Sequence, residues 1–118
     1  MRLIELKEII DAKVLYGESN LEREVSSFYA SDLMSDILAT ARESGVLITA
    51  MIQPQVIRTA QMLDLIGIVF VSGKCPPDET LKLAIEAEIP ILVTKYSMFE
   101  TCGKIYLKLN ETDRKGIL

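Results

Sequence analysis

One apolar run, Ile-Gly-Ile-Val-Phe-Val-Ser-Gly at residues 66–73, limits the folds that this chain can adopt. It is rich in β-branched residues and ends in a Gly turn, which is typical of a strand buried on both faces. Similar runs lie at residues 45–50 and 89–94, and amphipathic helical patterns fill the intervals. We therefore predict a β-α-β-α-β unit with a parallel sheet at its centre.

The residues before this unit predict a short helix over residues 3–10, followed by a hairpin. Its two strands are predicted at 12–16 and 24–30, with a polar turn at 17–20 between them. The predicted fold class is α/β, a three-layer sandwich with a mostly parallel central sheet, preceded by a short helix and a hairpin.

The helices of the core unit have recognisable starts. Pro54 and the pair Pro76-Pro77 stand where a missing backbone N–H is harmless, at the beginning of a helix. Ser97, with Glu100 three residues later, fits a capping box. The predicted inner face of this last helix consists of Phe99, Cys102, Tyr106 and Leu109.

At 118 residues, 49% of them hydrophobic, the chain can form one domain with a substantial core. We predict a single domain over residues 1–110 and a flexible polar tail over 111–118. The net charge is −4, without a basic cluster, which argues against nucleic acid as a partner. No apolar run approaches the roughly 20 residues that span a membrane. Glu5 and Glu8 stand where a signal peptide would be apolar, so we expect a cytoplasmic protein with no membrane partner.

The chain has no histidine, which excludes histidine-based catalysis. It has two cysteines, Cys75 and Cys102. We expect no catalytic residues, no cofactor and no metal, because a zinc site needs more N or S ligands. Cys102 is predicted to be a small core residue. Cys75 lies beside Lys74 near a helix start, so it is either a reactive thiol or an ordinary loop cysteine. Asp32 and Asp36, four residues apart, either bind a metal or lie on a solvated helix face.

A candidate ligand site lies beyond the carboxyl ends of the predicted parallel strands, where open α/β sheets bind their ligands. We call residues 49–55, 72–75 and 94–97 the rim. The hydroxyls, amides and lysines of the rim, beside helix N-termini, favour a small anionic ligand. The alternative is that the polar residues only start helices and that the lysines are solvated. The candidate ligand-binding residues are Thr49, Gln53, Gln55, Ser72, Gly73, Lys74, Thr94, Lys95 and Ser97.

Several short motifs occur in an order that resembles the DRTGG domain family, small α/β modules related to the N-terminal domain of bacterial HPr kinase/phosphorylase. The motifs are Leu-Lys-Glu-Ile-Ile at 6–10, Lys-Val-Leu-Tyr-Gly at 13–17, Leu-Glu-Arg-Glu-Val at 21–25, Ser-Asp-Leu-Met-Ser-Asp at 31–36, Val-Ser-Gly-Lys at 71–74, Ile-Pro-Ile-Leu-Val-Thr at 89–94 and the segment 99–103. The letters that name the family are absent, since Met-Ile-Gln-Pro-Gln occupies 51–55 where they would begin.

The resemblance implies a regulatory or dimerising appendage, of the kind found between CBS domains in some pyrophosphatases, rather than an enzyme. The phosphate-binding loop of the related kinase lies in a separate domain, and this sequence has no G-x-x-x-x-G-K-[ST] run. We therefore expect a non-catalytic homodimer that binds a small nucleotide or phosphorylated ligand, or an unknown protein partner. The alternative is a small enzyme that acts on a phosphorylated metabolite through Lys74, Lys95 or Cys75.

Overall fold

The computed structural model describes residues 1–41 and 44–117, with side chains described as far as residue 111. The elements are α1 (Leu3–Ile9), β1 (Lys13–Tyr16), a 3₁₀ turn (Glu18–Asn20), β2 (Ser27–Ala30), α2 (Met34–Thr40), β3 (Gly45–Thr49), α3 (Pro54–Met62), β4 (Gly67–Phe70), α4 (Asp78–Ala87), β5 (Ile91–Val93) and α5 (Met98–Ile117).

The strands form one five-stranded sheet in the order β1-β5-β4-β3-β2. The strands β2 to β5 are parallel, and β1 runs antiparallel to β5. All residues of β3, β4 and β5 are buried, as expected for strands covered on both faces. The predicted α/β class with a mostly parallel central sheet is therefore confirmed.

Helices cover both faces of the sheet, so the domain has three layers. Alternate residues of a strand point to opposite faces. In β4, Ile68 and Phe70 pack in the core shared with α2, α3 and α4, whereas Val69 packs in the core shared with α1 and α5. Ile105 is the most deeply buried apolar residue of α5 up to residue 111, and it packs that helix against the sheet.

The two strands that were predicted as a hairpin are both present, but they do not pair with each other. They form the opposite edges of the sheet, β1 beside β5 and β2 beside β3. The reason lies in the connecting segment, whose backbone groups bond to the first turn of α1. The N–H groups of Leu3 and Ile4 donate to the carbonyls of Arg23 and Leu21, and Val25 donates to Met1.

The last helix begins as predicted, but its inner face differs from the predicted one. Ser97 and Glu100 form the capping box, with reciprocal hydrogen bonds of 3.1 Å. Phe99 and Tyr106 point outward and are exposed, and Thr101 and Ile105 occupy the buried positions instead. Compared with the predicted inner face, the buried stripe of α5 is shifted by about one residue around the helix. The side chains of Phe99 and Tyr106 are therefore exposed to solvent.

The backbone of α5 is helical to Ile117 and so passes the boundary at residue 111 where the sequence predicts a flexible tail. Residue 118 lies outside the described residues. The division of the chain into a domain and a tail stays a prediction.

Candidate functional site

Two of the predicted ligand-binding residues, Thr49 and Thr94, are buried and use their hydroxyls inside the protein. Thr49 donates to Asp32 Oδ1 at 2.9 Å and accepts the N–H of Met51. Thr94 donates to the carbonyl of Ile10 at 2.7 Å and accepts the N–H of Tyr96. Each threonine therefore ties the end of a core strand to the segment that leads into or out of an edge strand. Both hydroxyls are therefore engaged by groups of the protein itself.

The loop after β4 has a fixed backbone, although its side chains are exposed. Ser72 and Gly73 both have positive φ angles, 60° and 67°. Their N–H groups donate to the carbonyls of Tyr96 and Thr94, at 2.7 and 2.8 Å. These bonds hold the loop that leads to Cys75 against the segment that follows β5.

The other predicted site residues are spread along the rim. Gln53 precedes α3 and makes no side-chain cap, Gln55 is exposed in the first turn of that helix, and Ser97 is engaged in the capping box of α5. Lys74 and Lys95 are both exposed. That any of the nine residues binds a ligand stays a prediction.

The structure brings three of the rim residues considered above together in one pocket. Gly73, Cys75 and Lys95 line a cavity of about 430 Å³ beside β1, together with Asp11 and Lys13. Sequence reasoning missed Asp11 and Lys13 because they precede or begin a strand placed in a hairpin. The pairing of Lys13 with Val93 of β5 brings them to the rim.

Asp32 has a structural role that the sequence did not indicate. Its Oδ1 accepts hydrogen bonds from Thr49 and from the N–H of Ala50 at 2.7 Å, which closes the end of β3. Asp36 is exposed in α2. Among the described residues there is no group of three or more His, Cys, Asp or Glu side chains that could hold a metal ion.

A second cavity, of about 330 Å³, lies between α5 and the β2 edge of the sheet. We call it the α5 groove. It is lined mainly by apolar groups, including Phe28, Ile48, Ile105 and Tyr106. Burial in this groove raises the pKa of the Cys102 thiol, which disfavours the thiolate. The sequence predicted Cys102 to be a core residue, and in the structure its side chain is half-buried and packs against the core shared with α1 and α5.

Exposed apolar side chains extend this groove along the outside of α5. Phe99 is 87% exposed, Leu107 70% and Tyr106 65%. Phe99 and Tyr106 lie two helical turns apart on one stripe, with the exposed Gly103 between them. An added Cβ at Gly103 would meet nothing within 4 Å, so the helix surface between these two residues is open.

No helix among the described residues is both long enough and apolar enough to cross a membrane.

Comparison with known proteins identifies the family but transfers no activity. Among curated protein sequences, none matches this chain. Among solved structures, the chain is similar to the CBS and DRTGG domains of the regulatory region of Clostridium perfringens pyrophosphatase, complexed with the activator diadenosine tetraphosphate. The TM-score is 0.73 at 14% sequence identity, which shows a shared fold.

The similarity covers 88% of this chain and 45% of the solved one, so this chain corresponds to less than half of that regulatory region. The family model of the DRTGG domain matches residues 5–107, which include all five strands and the first half of α5. The chain therefore belongs to the DRTGG domain family.

Proposed function

We propose that this protein is a non-catalytic regulatory module that works as a homodimer. The observation that carries the proposal is the apolar surface formed by the α5 groove with Phe99, Tyr106 and Leu107. A regulatory role is supported by the family and by the solved neighbour, which is a regulatory region complexed with an activator. The cytoplasmic location expected from the sequence stays a prediction.

The apolar surface is comparable in area to the largest apolar patch of a typical monomer. Phe99, Tyr106 and Leu107 together expose on the order of 400 Å², since an aromatic side chain presents about 150–250 Å². The largest apolar patch on a typical monomer is about 300–600 Å² and often functional. The adjoining α5 groove and β2 edge add area, toward the roughly 800 Å² that each partner of a stable complex buries.

The β2 edge beside this surface is not protected against association. Its sequence, Ser-Phe-Tyr-Ala, has no charged residue and no proline, the devices that usually blunt an edge strand. In the described part of the chain no further strand lies beyond β2. A second copy suits this surface, because a two-fold axis brings the same apolar patch onto itself and buries both at once.

Sedimentation of the purified chain at tens of micromolar tests the dimer, which should appear at twice the mass of one chain. Leu107→Lys should weaken association by about 30-fold or more, the effect of losing an interface hot spot. Met62→Lys is the matched control, because Met62 is 71% exposed but lies on α3, across the sheet. A wild-type chain that stays monomeric, or equal dissociation by both variants, contradicts the proposal.

The dimer would be regulated by a small anionic ligand, with a nucleotide or another phosphorylated molecule as the class to test. The exposed lysines of the rim and the activator bound by the solved neighbour support this choice. A thermal-shift screen detects such a ligand, since about 100 times its dissociation constant stabilises by about 2.7 kcal/mol. A ligand that is consumed during the screen would overturn the non-catalytic assignment in favour of an enzyme. A protein captured from native extract, with no small-molecule hit, would identify the partner instead.

A further inference from the structure

We propose that the pocket beside β1, lined by Asp11, Lys13, Gly73, Cys75 and Lys95, binds a mononucleotide, with the phosphate held by the two lysines. This inference rests on the proposed regulatory function and assigns its ligand to one place. The cavity of about 430 Å³ falls within the range of about 300–1,000 Å³ that small-molecule sites occupy.

The two lysines converge although they are 82 positions apart in the sequence. Lys13 pairs with Val93 across the antiparallel β1–β5 ladder, and Lys95 lies two residues beyond Val93. The strand pairing brings Lys13 to the end of β5, and Lys95 lies in the segment that follows this end. Both lysines border the cavity, and neither forms an ion pair among the described residues.

The remaining walls of the pocket suit the other parts of a nucleotide. Leu15, Ala12 and Val93 supply an apolar floor on which a base can lie. Asp11 supplies an acceptor for a ribose hydroxyl or an exocyclic amine. Its position is fixed by the end of α1, where Asp11 has φ 48° and the N–H of Ala12 donates to Lys7 at 2.9 Å.

The loop after β4 forms another side of the pocket through Gly73 and Cys75, and backbone hydrogen bonds hold the start of this loop. The N–H groups of Ser72 and Gly73 donate to carbonyls of the segment after β5, which holds the start of this loop against that segment. Lys74 belongs to the same loop but is not among the residues that line the cavity. The pocket therefore separates Lys95 from Lys74, which the sequence had placed in one site.

Calorimetric titration of the full chain with AMP, ADP, ribose phosphate and inorganic phosphate tests the assignment. AMP or ADP should bind, and Lys13→Ala and Lys95→Ala should each weaken binding by about tenfold or more, the effect of losing a hydrogen bond to a charged group. Lys82→Ala, which removes the same charge from an exposed position on α4 outside the pocket, should leave binding unchanged. Bound nucleotide should also slow the reaction of Cys75 with a thiol reagent.

Three results would overturn the proposal. They are no heat of binding with any of the four compounds at millimolar concentration, nucleotide binding that survives both pocket substitutions, and inorganic phosphate binding as tightly as AMP. Sedimentation of the same samples distinguishes this failure from failure of the proposed function. A dimer without nucleotide binding removes only the pocket assignment, whereas a monomer that binds nucleotide removes the dimeric module.

Discussion

The two edges of the sheet differ in ways that indicate different uses. The β1 edge is antiparallel, begins with Lys13 and contains a register shift between Val14 and Tyr16. The β2 edge is parallel, regular and uncharged, and it lies beside the apolar α5 groove. Charge and irregularity protect an edge from pairing with another chain. The comparison suggests that one edge is kept for a small polar ligand and the other for association.

Removing Ile105 should produce the largest effect, because this side chain fastens α5 over the β2 side of the sheet. Ile105 is 3% exposed, so Ile105→Ala should lower the free energy of unfolding by about 2–5 kcal/mol. Leu107→Ala removes a similar side chain two residues along, from a position that is 70% exposed. It should change the subunit's stability by less than about 0.5 kcal/mol.

Urea unfolding at protein concentrations below the dimer's dissociation constant measures both values, and sedimentation of the same variants measures association. Leu107→Ala should weaken association despite its small effect on unfolding. If the two variants lose the same stability, the distinction between the buried and the outward face of α5 is wrong.

The buried threonines provide a direct comparison of the two edges. Thr94→Val leaves the buried carbonyl of Ile10 without its donor, beside the segment that leads into β1. An unsatisfied buried group costs about 1–3 kcal/mol. Thr49→Val removes a bond to Asp32, which is exposed to water and keeps the N–H of Ala50 as a partner. Thr49→Val should therefore lower the free energy of unfolding by less than Thr94→Val does, by about 1 kcal/mol.

Thermal or urea unfolding of both valine variants shows whether Thr94→Val is the more destabilising of the two. The matching Thr→Ser substitutions serve as controls, since they keep the hydroxyl at each site. A larger loss at Thr49 than at Thr94 would show that the β2 side, rather than the β1 side, depends more on its threonine.

The core strands and the helix starts could be predicted from the sequence because local signals determine them. Continuous apolar runs define β3, β4 and β5, Pro54 opens α3, and Ser97 with Glu100 opens α5. The positions of β1 and β2 could not be predicted, because they depend on backbone bonds between Met1–Ile4 and residues 21–25. Those bonds leave no side-chain pattern to detect.

The surroundings of the candidate site also depend on long-range contacts that the sequence does not show. Thr49 and Thr94 follow strands as ligand-binding hydroxyls often do, but each is engaged by a residue far away in sequence, Asp32 and Ile10. Gly73 and Lys95 line the pocket beside β1, and the structure adds Lys13 to them through strand pairing. Long-range contacts therefore decide which rim groups remain accessible.

The reactivities of the two cysteines measure solvent access at the two edges of the sheet separately. Cys75 lies exposed in the pocket beside β1, and Cys102 lies half-buried in the α5 groove, where burial raises its thiol pKa. Because the thiolate is the reacting form, Cys75 should react at least about tenfold faster at neutral pH. The rate at Cys102 should fall further as the protein concentration rises and the dimer forms, whereas the rate at Cys75 should not.

Thiol labelling of the single-cysteine variants Cys75→Ser and Cys102→Ser, followed over a range of protein concentrations, measures each rate alone. A Cys102 rate that is independent of concentration would place the interface away from the α5 groove. Protection of Cys75 by concentration instead would assign association to the β1 edge and reverse the comparison.

The smallest effect concerns the starts of α1 and α5, the two helices on the face that carries the groove. Glu100 accepts the N–H of Ser97, and this bond lowers the pKa of its carboxyl. Glu5 accepts the N–H of Arg2 and also its guanidinium, and the pKa of Glu5 is lowered for these reasons. A carboxyl with a lowered folded pKa stabilises the protein fully above its unfolded value of about 4.3. That stabilisation is lost as the pH falls through the folded pKa.

Melting temperatures between neutral pH and the acid range should therefore decline less steeply in Glu100→Gln and Glu5→Gln than in the wild type. The change should be greater for Glu5→Gln, because the guanidinium of Arg2 both bonds to Glu5 and attracts it, whereas Lys104 acts on Glu100 through its charge alone. Added salt screens exposed charges, so it should reduce the Glu5 effect more than the Glu100 effect. Equal responses to salt would mean that the hydrogen bond from a backbone N–H to the glutamate, which both helix starts contain, accounts for the pH dependence in each case.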